Sequence, residues 1–234
     1  MMAESLRDFR QRTAFVWDSL PKEGDFATNP RLTEKVDEAG SFRPFFGDTV
    51  IFDLPEDDKV WLGGIQRMLY ETCGGLLADA LNPASFHITL HDLNSAVNPE
   101  AIAPAMTRAS AACKSLLAAL PKDQAILVKS TAVFSMVHTS VVMGFEPVDE
   151  ENCTALTALY DLFQQVMPLS YPLTPHVTLA YYRPLSAGED TLRQLRAALE
   201  AVNRKAQRRT VRLSMPRYAT FTDMNHYRSE DVSM

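Results

Sequence analysis

The alternation of apolar and polar residues divides the chain into a leader followed by two stretches with the same order of elements. Residues 4–20 carry apolar side chains at helical spacing, which predicts an amphipathic helix. The next segment is rich in Gly, Pro, Asn and charged residues, with a short helix predicted after Asn29-Pro30. We therefore predict an N-terminal helical leader, residues 1–44, that packs on the body of the protein.

Beyond the leader, β-branched runs alternate with helical periods. The first stretch predicts a strand at residues 49–54, a helix at about 58–80 and a strand at 86–93. An Ala-rich helix and a strand at about 125–136 follow.

A second stretch repeats this order. It predicts a strand at residues 140–145, a helix to about Val166, a strand from His176, a helix over 186–203 and a strand over 210–221. Repetition of one unit predicts a duplicated architecture.

The repeat predicts an α+β (α/β-like) fold with two pseudosymmetric lobes. Each lobe has an antiparallel-type sheet and flanking helices, and the two lobes enclose one central groove. We place the bilobal domain at residues 45–224, with lobes at about 45–137 and 138–224, and a C-terminal tail at 225–234.

Composition narrows the function classes. The 234 residues are 46% hydrophobic, enough for a sizeable core, and the formal charge of -6 argues against binding long nucleic acid through a basic face. A small nucleotide or an RNA end remains allowed as the partner. Three cysteines without Cys-x-x-Cys spacing predict free thiols in a reducing cytoplasm. No segment reads as a signal peptide or a membrane span, and we expect a monomer.

The strongest chemical signal is a repeated signature, His-Ile-Thr-Leu at residues 87–90 and His-Val-Thr-Leu at 176–179. Alternate side chains of a strand share a face, so each histidine and its threonine point the same way. Two imidazoles and two hydroxyls in one groove suit phosphodiester chemistry without a metal or other cofactor. One histidine accepts a proton, the other donates one, and the hydroxyls bind phosphate oxygens.

The paired signatures, with a strand and a helix before each, resemble the 2H phosphoesterase superfamily, which includes 2′,3′-cyclic nucleotide phosphodiesterases and RNA 2′,5′-ligase-like proteins. The resemblance covers residues 45–224, and the segment 40–49 of this chain resembles a poorly characterised bacterial branch. It implies a 2H phosphoesterase-like fold. By this resemblance the acid/base pair is His87 and His176, and the phosphate ligands are Thr89 and Thr178.

Two further residues are candidates for substrate binding by strand alternation alone. His91 would share the face of His87, and Tyr182 would share that of His176 and could stack on a base. For each, a structural role is an open alternative. A helix would instead bring His87 and His91 together for zinc, but the local alternation favours a strand, in which they are too far apart.

These observations predict a metal-independent phosphoesterase, a hydrolase of the phosphodiesterase class that acts in nucleotide or RNA processing. Its substrate would be a 2′,3′-cyclic phosphate or a 2′,5′-type phosphodiester of a nucleotide or RNA end. Two alternatives stay open: a non-catalytic module that binds nucleotides or RNA ends, and an ATP-independent RNA 2′,5′-ligase-like activity. Pseudosymmetry leaves open which histidine is the base.

Overall fold

The structure, a computed structural model, describes residues 4–17, 20–123 and 125–229. Within these ranges the α-helices are α1 Leu6–Trp17, α2 Glu56–Cys73, α3 Ala103–Ala119, α4 Glu150–Phe163 and α5 Glu189–Lys205. The strands are β1 Phe26–Ala27, β2 Phe46–Asp53, β3 His87–Ala96, β4 Ile126–Met136, β5 Ser140–Pro147, β6 His176–Tyr181, β7 Ser186–Ala187, β8 Thr210–Leu213, β9 Arg217–Asp223 and β10 His226–Ser229.

Helix starts follow local chemistry. The side chain of Asp149 caps α4 by accepting a hydrogen bond from the backbone N–H of Asn152 at 2.9 Å. Helix α5 has two acidic residues in its first turn and two basic residues in its last, which complements the helix dipole. These signals explain why the predicted helices form where the sequence places them.

Two antiparallel sheets of four strands carry the lobes. The first has the order β10-β9-β2-β3 and the second has the order β6-β5-β4-β8. Strands β3 and β6, which carry the two signatures, are each the edge strand of their sheet, and they contact one another. The predicted α+β architecture with two antiparallel sheets is confirmed, and both signatures lie where the lobes meet.

The division of the chain between the lobes differs from the predicted one. Strand β4 was expected in the first lobe but pairs with β5 and β8, while β9 was expected in the second lobe but pairs with β2. A tight hairpin explains the first difference, because Val137 and His138 adopt left-handed φ angles of 43° and 56° between β4 and β5. Pro216 lies between β8 and β9, where the predicted single strand passes from one sheet to the other.

The segment predicted as a C-terminal tail contributes a strand. Its residues His226–Ser229 form β10, which pairs with β9, and residues 230–234 lie outside the described part of the chain. In the predicted leader, residues 1–3 and 18–19 also lie outside it. The short helix predicted there is a 3₁₀ helix at Pro30–Glu34.

The described part of the leader packs on the second lobe. Helix α1 contacts α4, β4 and β5, and the guanidinium of Arg12 donates to the carbonyl of Leu173 at 2.7 Å. Strand β1 pairs with β7, and Phe26 within it is fully buried. The leader therefore shares the core of the body.

The three cysteines are free and buried. No described helix is long and apolar enough to cross a membrane.

Candidate active site

A β-bulge follows the threonine in β3. Thr89 pairs with Ile51 and His91 pairs with Val50, so Leu90 is an extra residue on this strand. Paired residues of neighbouring strands point to the same side of a sheet, so the alternation of faces reverses after Thr89.

The same bulge occurs at the same place in β6. Thr178 pairs with Val142 and Ala180 pairs with Val141, which leaves Leu179 as the extra residue. The leucine that ends each signature is therefore the residue at which the strand bulges. Both lobes therefore share the bulge as well as the His-x-Thr-Leu signature.

The first bulge removes His91 from the groove. His91 is 1% exposed, and its ring centroid lies 5.1 Å from that of Tyr160 and 6.3 Å from that of Phe163, both on α4. The prediction that His91 lines the groove is therefore wrong, because the extra residue turns it toward the core. Since His87 and His91 point to opposite faces, they also cannot share a zinc ion.

The second bulge has the same effect on Tyr182. Its side chain is fully buried, with its ring centroid 5.3 Å from that of Phe26 in the leader. The prediction that Tyr182 shares the face of His176 is therefore wrong. The preceding residue, Tyr181, takes the place on the groove face, and Asp92 takes the equivalent place in the first lobe.

Both histidines are held by the same kind of backbone contact. His87 Nδ1 lies 2.8 Å from the carbonyl oxygen of Ser85, and His176 Nδ1 lies 2.7 Å from that of Thr174. A carbonyl oxygen only accepts hydrogen bonds, so each Nδ1 carries a proton. This contact leaves both Nε2 atoms as the sites of proton exchange.

The surroundings of the two imidazoles oppose their protonation. Burial is the largest influence and lowers the pKa of both His87 and His176. The charge of His176 lowers the pKa of His87 further, so a proton on one ring disfavours a proton on the other. The carboxylate of Asp92 raises the pKa of both rings, and Asp53 raises that of His87. This coupling disfavours a pair that holds two protons.

The two threonines complete the groove. Thr89 and Thr178 are half-buried on the face that carries the histidines. The Thr178 side chain lowers the pKa of Tyr181, although burial is the larger influence and raises it. The Tyr181 hydroxyl donates to the sulfur of Met224 at 3.1 Å. The structure thus brings together the four residues predicted from the signatures.

Other residues at the groove were missed from the sequence. Asp92 accepts a hydrogen bond from the Tyr171 hydroxyl at 2.8 Å, and the ring of Tyr227 on β10 lies 4.4 Å from that of His87. Asp92 and Tyr181 each lie five residues after the histidine of their signature. Simple alternation places that position on the opposite face, so only a predicted bulge would have placed them at the groove. Tyr227 comes from the end of the chain, where no local pattern marks it.

The arrangement supplies a proton acceptor, a proton donor and two hydroxyl donors in one groove. Among the residues described, no three His, Cys, Asp or Glu side chains gather as a candidate metal site. The two imidazoles and the two hydroxyls have the chemistry needed to act on a phosphodiester, because imidazoles can exchange protons and hydroxyls can donate to its non-bridging oxygens.

No family model and no curated protein matches this chain. Among solved structures, it is similar to the conserved protein of unknown function ATU0111 from Agrobacterium tumefaciens, with a TM-score of 0.68, 18% identity and coverage of 88% of this chain and 93% of that one. It is also similar to TT0787 of Thermus thermophilus, with a TM-score of 0.47, 16% identity and coverage of 79% of this chain and 94% of that one. The similarity to apo LigT of E. coli has a TM-score of 0.44 and 12% identity, and covers 80% of this chain and 95% of that one.

The likeness to the Agrobacterium protein shows a common fold alone, and TM-scores below 0.5 add nothing to it. Activity has to be inferred from the site itself.

Proposed function

We propose that this protein is a metal-independent phosphoesterase of the 2H type that hydrolyses a 2′,3′-cyclic phosphate of a nucleotide or RNA end. The four groups assigned to the reaction are His87 and His176 as the acid/base pair and Thr89 and Thr178 as phosphate ligands. A 2′,5′-type phosphodiester is the related substrate that the same groups would serve.

One observation carries this proposal: the matched hydrogen bonds from Nδ1 of each histidine to a backbone carbonyl. They fix both rings with Nε2 available for proton transfer, which is the arrangement that acid/base catalysis requires. The two rings make the same contact two residues upstream, as expected of a pair that shares one role.

The proposed reaction needs one proton on the pair. The neutral imidazole takes a proton from water as its oxygen attacks phosphorus, and the protonated imidazole gives its proton to the ribose oxygen as the phosphorus–oxygen bond breaks. The product is a nucleoside 2′- or 3′-monophosphate, in which the other of these two ribose hydroxyls is free. The threonine hydroxyls donate to the non-bridging oxygens, where negative charge develops in the transition state.

A substrate panel tests this assignment. Purified protein is incubated with 2′,3′-cyclic mononucleotides, with 2′,5′- and 3′,5′-linked dinucleotides and with cleaved RNA ends, and the products are identified. We expect hydrolysis of the cyclic phosphates. Binding of nucleotides without turnover of any substrate would instead support the binding-module alternative, and joining of RNA ends without ATP would support the ligase alternative.

The proposed partners follow from the net charge of the protein. The net charge of -6 disfavours long nucleic acid, so the substrate is a small nucleotide or a single RNA end. The buried free thiols fit a reducing cytoplasm, which is where we propose that the protein acts, as a monomer.

A further inference from the structure

The leader contributes a cation with an unusual environment. Lys35 follows the 3₁₀ helix Pro30–Glu34, its side chain is half-buried, and its Nζ lies 5.0 Å from the centre of the Phe45 ring. Among the described residues, no carboxylate lies within 4.0 Å of this ammonium group. Burying a cation without an anionic partner is unfavourable, and a bound anion would relieve that cost.

Several contacts fix the backbone around Lys35. Its carbonyl accepts a hydrogen bond from the N–H of Arg43 at 2.8 Å, and the guanidinium of Arg183 donates to the carbonyl of Ala39. Gly40 has a φ of +93°, and an added Cβ there would lie 2.8 Å from Nε of Arg183. The segment that carries Lys35 is therefore tightly fitted against the body.

The leader segment that carries Lys35 borders the groove. The negative charge of Asp92 raises the pKa of Lys35, and the same carboxylate raises the pKa of His87 and His176, although burial is the larger influence and lowers all three. Phe42, from the same leader segment, packs edge-on against Tyr181 with ring centroids 5.9 Å apart. The contact between Phe42 and Tyr181 places this segment along the groove.

We propose that Lys35 binds a second phosphate of the substrate, adjacent to the reacting phosphate. This inference rests on the proposed function, in which the histidines and threonines serve the reacting group. The leader has no pseudosymmetric counterpart, so it extends the groove on one side only. In an RNA chain that ends in a 2′,3′-cyclic phosphate, the neighbouring phosphate is the one on the 5′ oxygen of the terminal nucleotide. The substrate class is therefore an RNA 3′ end rather than a free cyclic mononucleotide.

The kinetic test compares two substrates that differ by this one group: adenosine 2′,3′-cyclic phosphate and its 5′-phosphorylated form. We expect the wild-type protein to show a KM about tenfold lower for the 5′-phosphorylated substrate, since a hydrogen bond between charged groups contributes about 1.5 kcal/mol or more. Lys35→Met should bring the ratio of the two KM values close to one, and Lys35→Arg should restore part of it.

Lys22→Met is the matched control, because it removes an exposed lysine from the same leader. It should retain the wild-type ratio of KM values. Thermal unfolding of both methionine variants verifies that they fold. An unchanged ratio in folded Lys35→Met would overturn the proposal.

A binding test separates this inference from the proposed reaction. The double variant His87→Ala/His176→Ala is titrated with adenosine 3′-monophosphate and with adenosine 3′,5′-bisphosphate, with and without Lys35→Met. A preference for the bisphosphate that depends on Lys35 supports the second phosphate site even if no cyclic substrate is turned over. Hydrolysis of cyclic phosphates without such a preference would keep the proposed function and reject the site.

Discussion

The two lobes share their backbone and their proton-transfer geometry but differ in what surrounds it. Each has a histidine at the start of an edge strand, a Nδ1 contact to a carbonyl two residues upstream, and a bulge at the leucine of its signature. These shared features are those that orient a reacting group. Duplication has preserved the parts that would act on the phosphate.

The differences lie in charge and aromatic surface. Opposite His87 in the ladder is Asp53, whereas opposite His176 is Gly144. After the bulge, Asp92 in one lobe corresponds to Tyr181 in the other. A substrate with two chemically different ends needs such asymmetry, since identical surroundings would bind it equally well in both directions. We therefore propose that the shared features serve catalysis and that the differing surroundings orient the substrate.

Removal of either imidazole should have the largest effect and should be similar in both lobes. We expect His87→Ala and His176→Ala each to lower kcat/KM by about a thousandfold, because acid/base catalysis by a positioned group contributes about 10²–10⁴-fold. The double variant should lose little more, since the two groups act as one unit. Steady-state kinetics on the cyclic substrate found in the panel provides the measurement. Full activity in either single variant would reject the shared role.

The threonines should come next, with a smaller loss. Thr89→Val and Thr178→Val keep the shape but remove one hydroxyl donor each, and we expect kcat/KM to fall roughly tenfold to a hundredfold. Thr178 also influences the pKa of Tyr181, so Tyr181→Phe tests whether the Tyr181 hydroxyl orients that of Thr178. The Ser variants serve as controls, because they retain the hydroxyl. Val and Ser variants of equal activity would show that the hydroxyls do not bind phosphate.

Asp53 is the residue that should break the symmetry of the pH profile. Its charge raises the pKa of His87, so Asp53→Asn should lower that pKa and shift one limb of the kcat/KM profile toward lower pH. A shift of the alkaline limb identifies His87 as the acid, because the proton it must donate is lost at lower pH. A shift of the acidic limb identifies it as the base.

Arg217 provides the opposite test of the same interaction. Its Nε lies 3.6 Å from a carboxylate oxygen of Asp53, so Arg217→Gln should strengthen the influence of Asp53 and shift the limb toward higher pH. NMR titration of His87 measures its pKa directly in both variants. Two variants that shift the profile in the same direction would contradict the assignment.

The part of the site that could be predicted is the part encoded locally. The period-two and helical patterns predicted the order of the strands and helices. Each signature contains a histidine and a threonine two residues apart, so the two signatures predicted all four of these site residues. Strands β3 and β6 are both edge strands and contact each other, so the two repeated signatures lie at one groove.

The features that were missed depend on contacts distant in sequence. The bulge at Leu90 is defined by the pairing of its neighbours with β2. As a result, His91 packs against Tyr160 on α4, in the other lobe. The leader segment is held against the body by Arg183, which donates to the carbonyl of Ala39 from 144 residues away. No window of local sequence contains both partners of such contacts, so alternation alone placed His91 on the wrong face.

The smallest effect on activity is expected at His91, where the bulge separates the groove from the core. We expect His91→Leu to leave kcat/KM within about twofold of wild type, the range that substitutions away from the reacting groups produce.

The stability of the His91→Leu variant should show a different effect. Burial lowers the pKa of His91 below the value of about 6.5 in an unfolded chain, so the unfolded state binds more protons as the pH falls. The wild-type protein therefore loses stability between pH 7 and pH 5, and His91→Leu should lose less. Urea unfolding at pH 7.5 and pH 5.0 measures this difference. The comparison variant is His226→Leu, because that histidine is exposed and its ring lies 2.8 Å from the carboxylate of Asp223, so its removal should not lessen the loss. A large loss of turnover in His91→Leu would return this residue to the groove, and an unchanged dependence on pH would show that its burial does not govern its protonation.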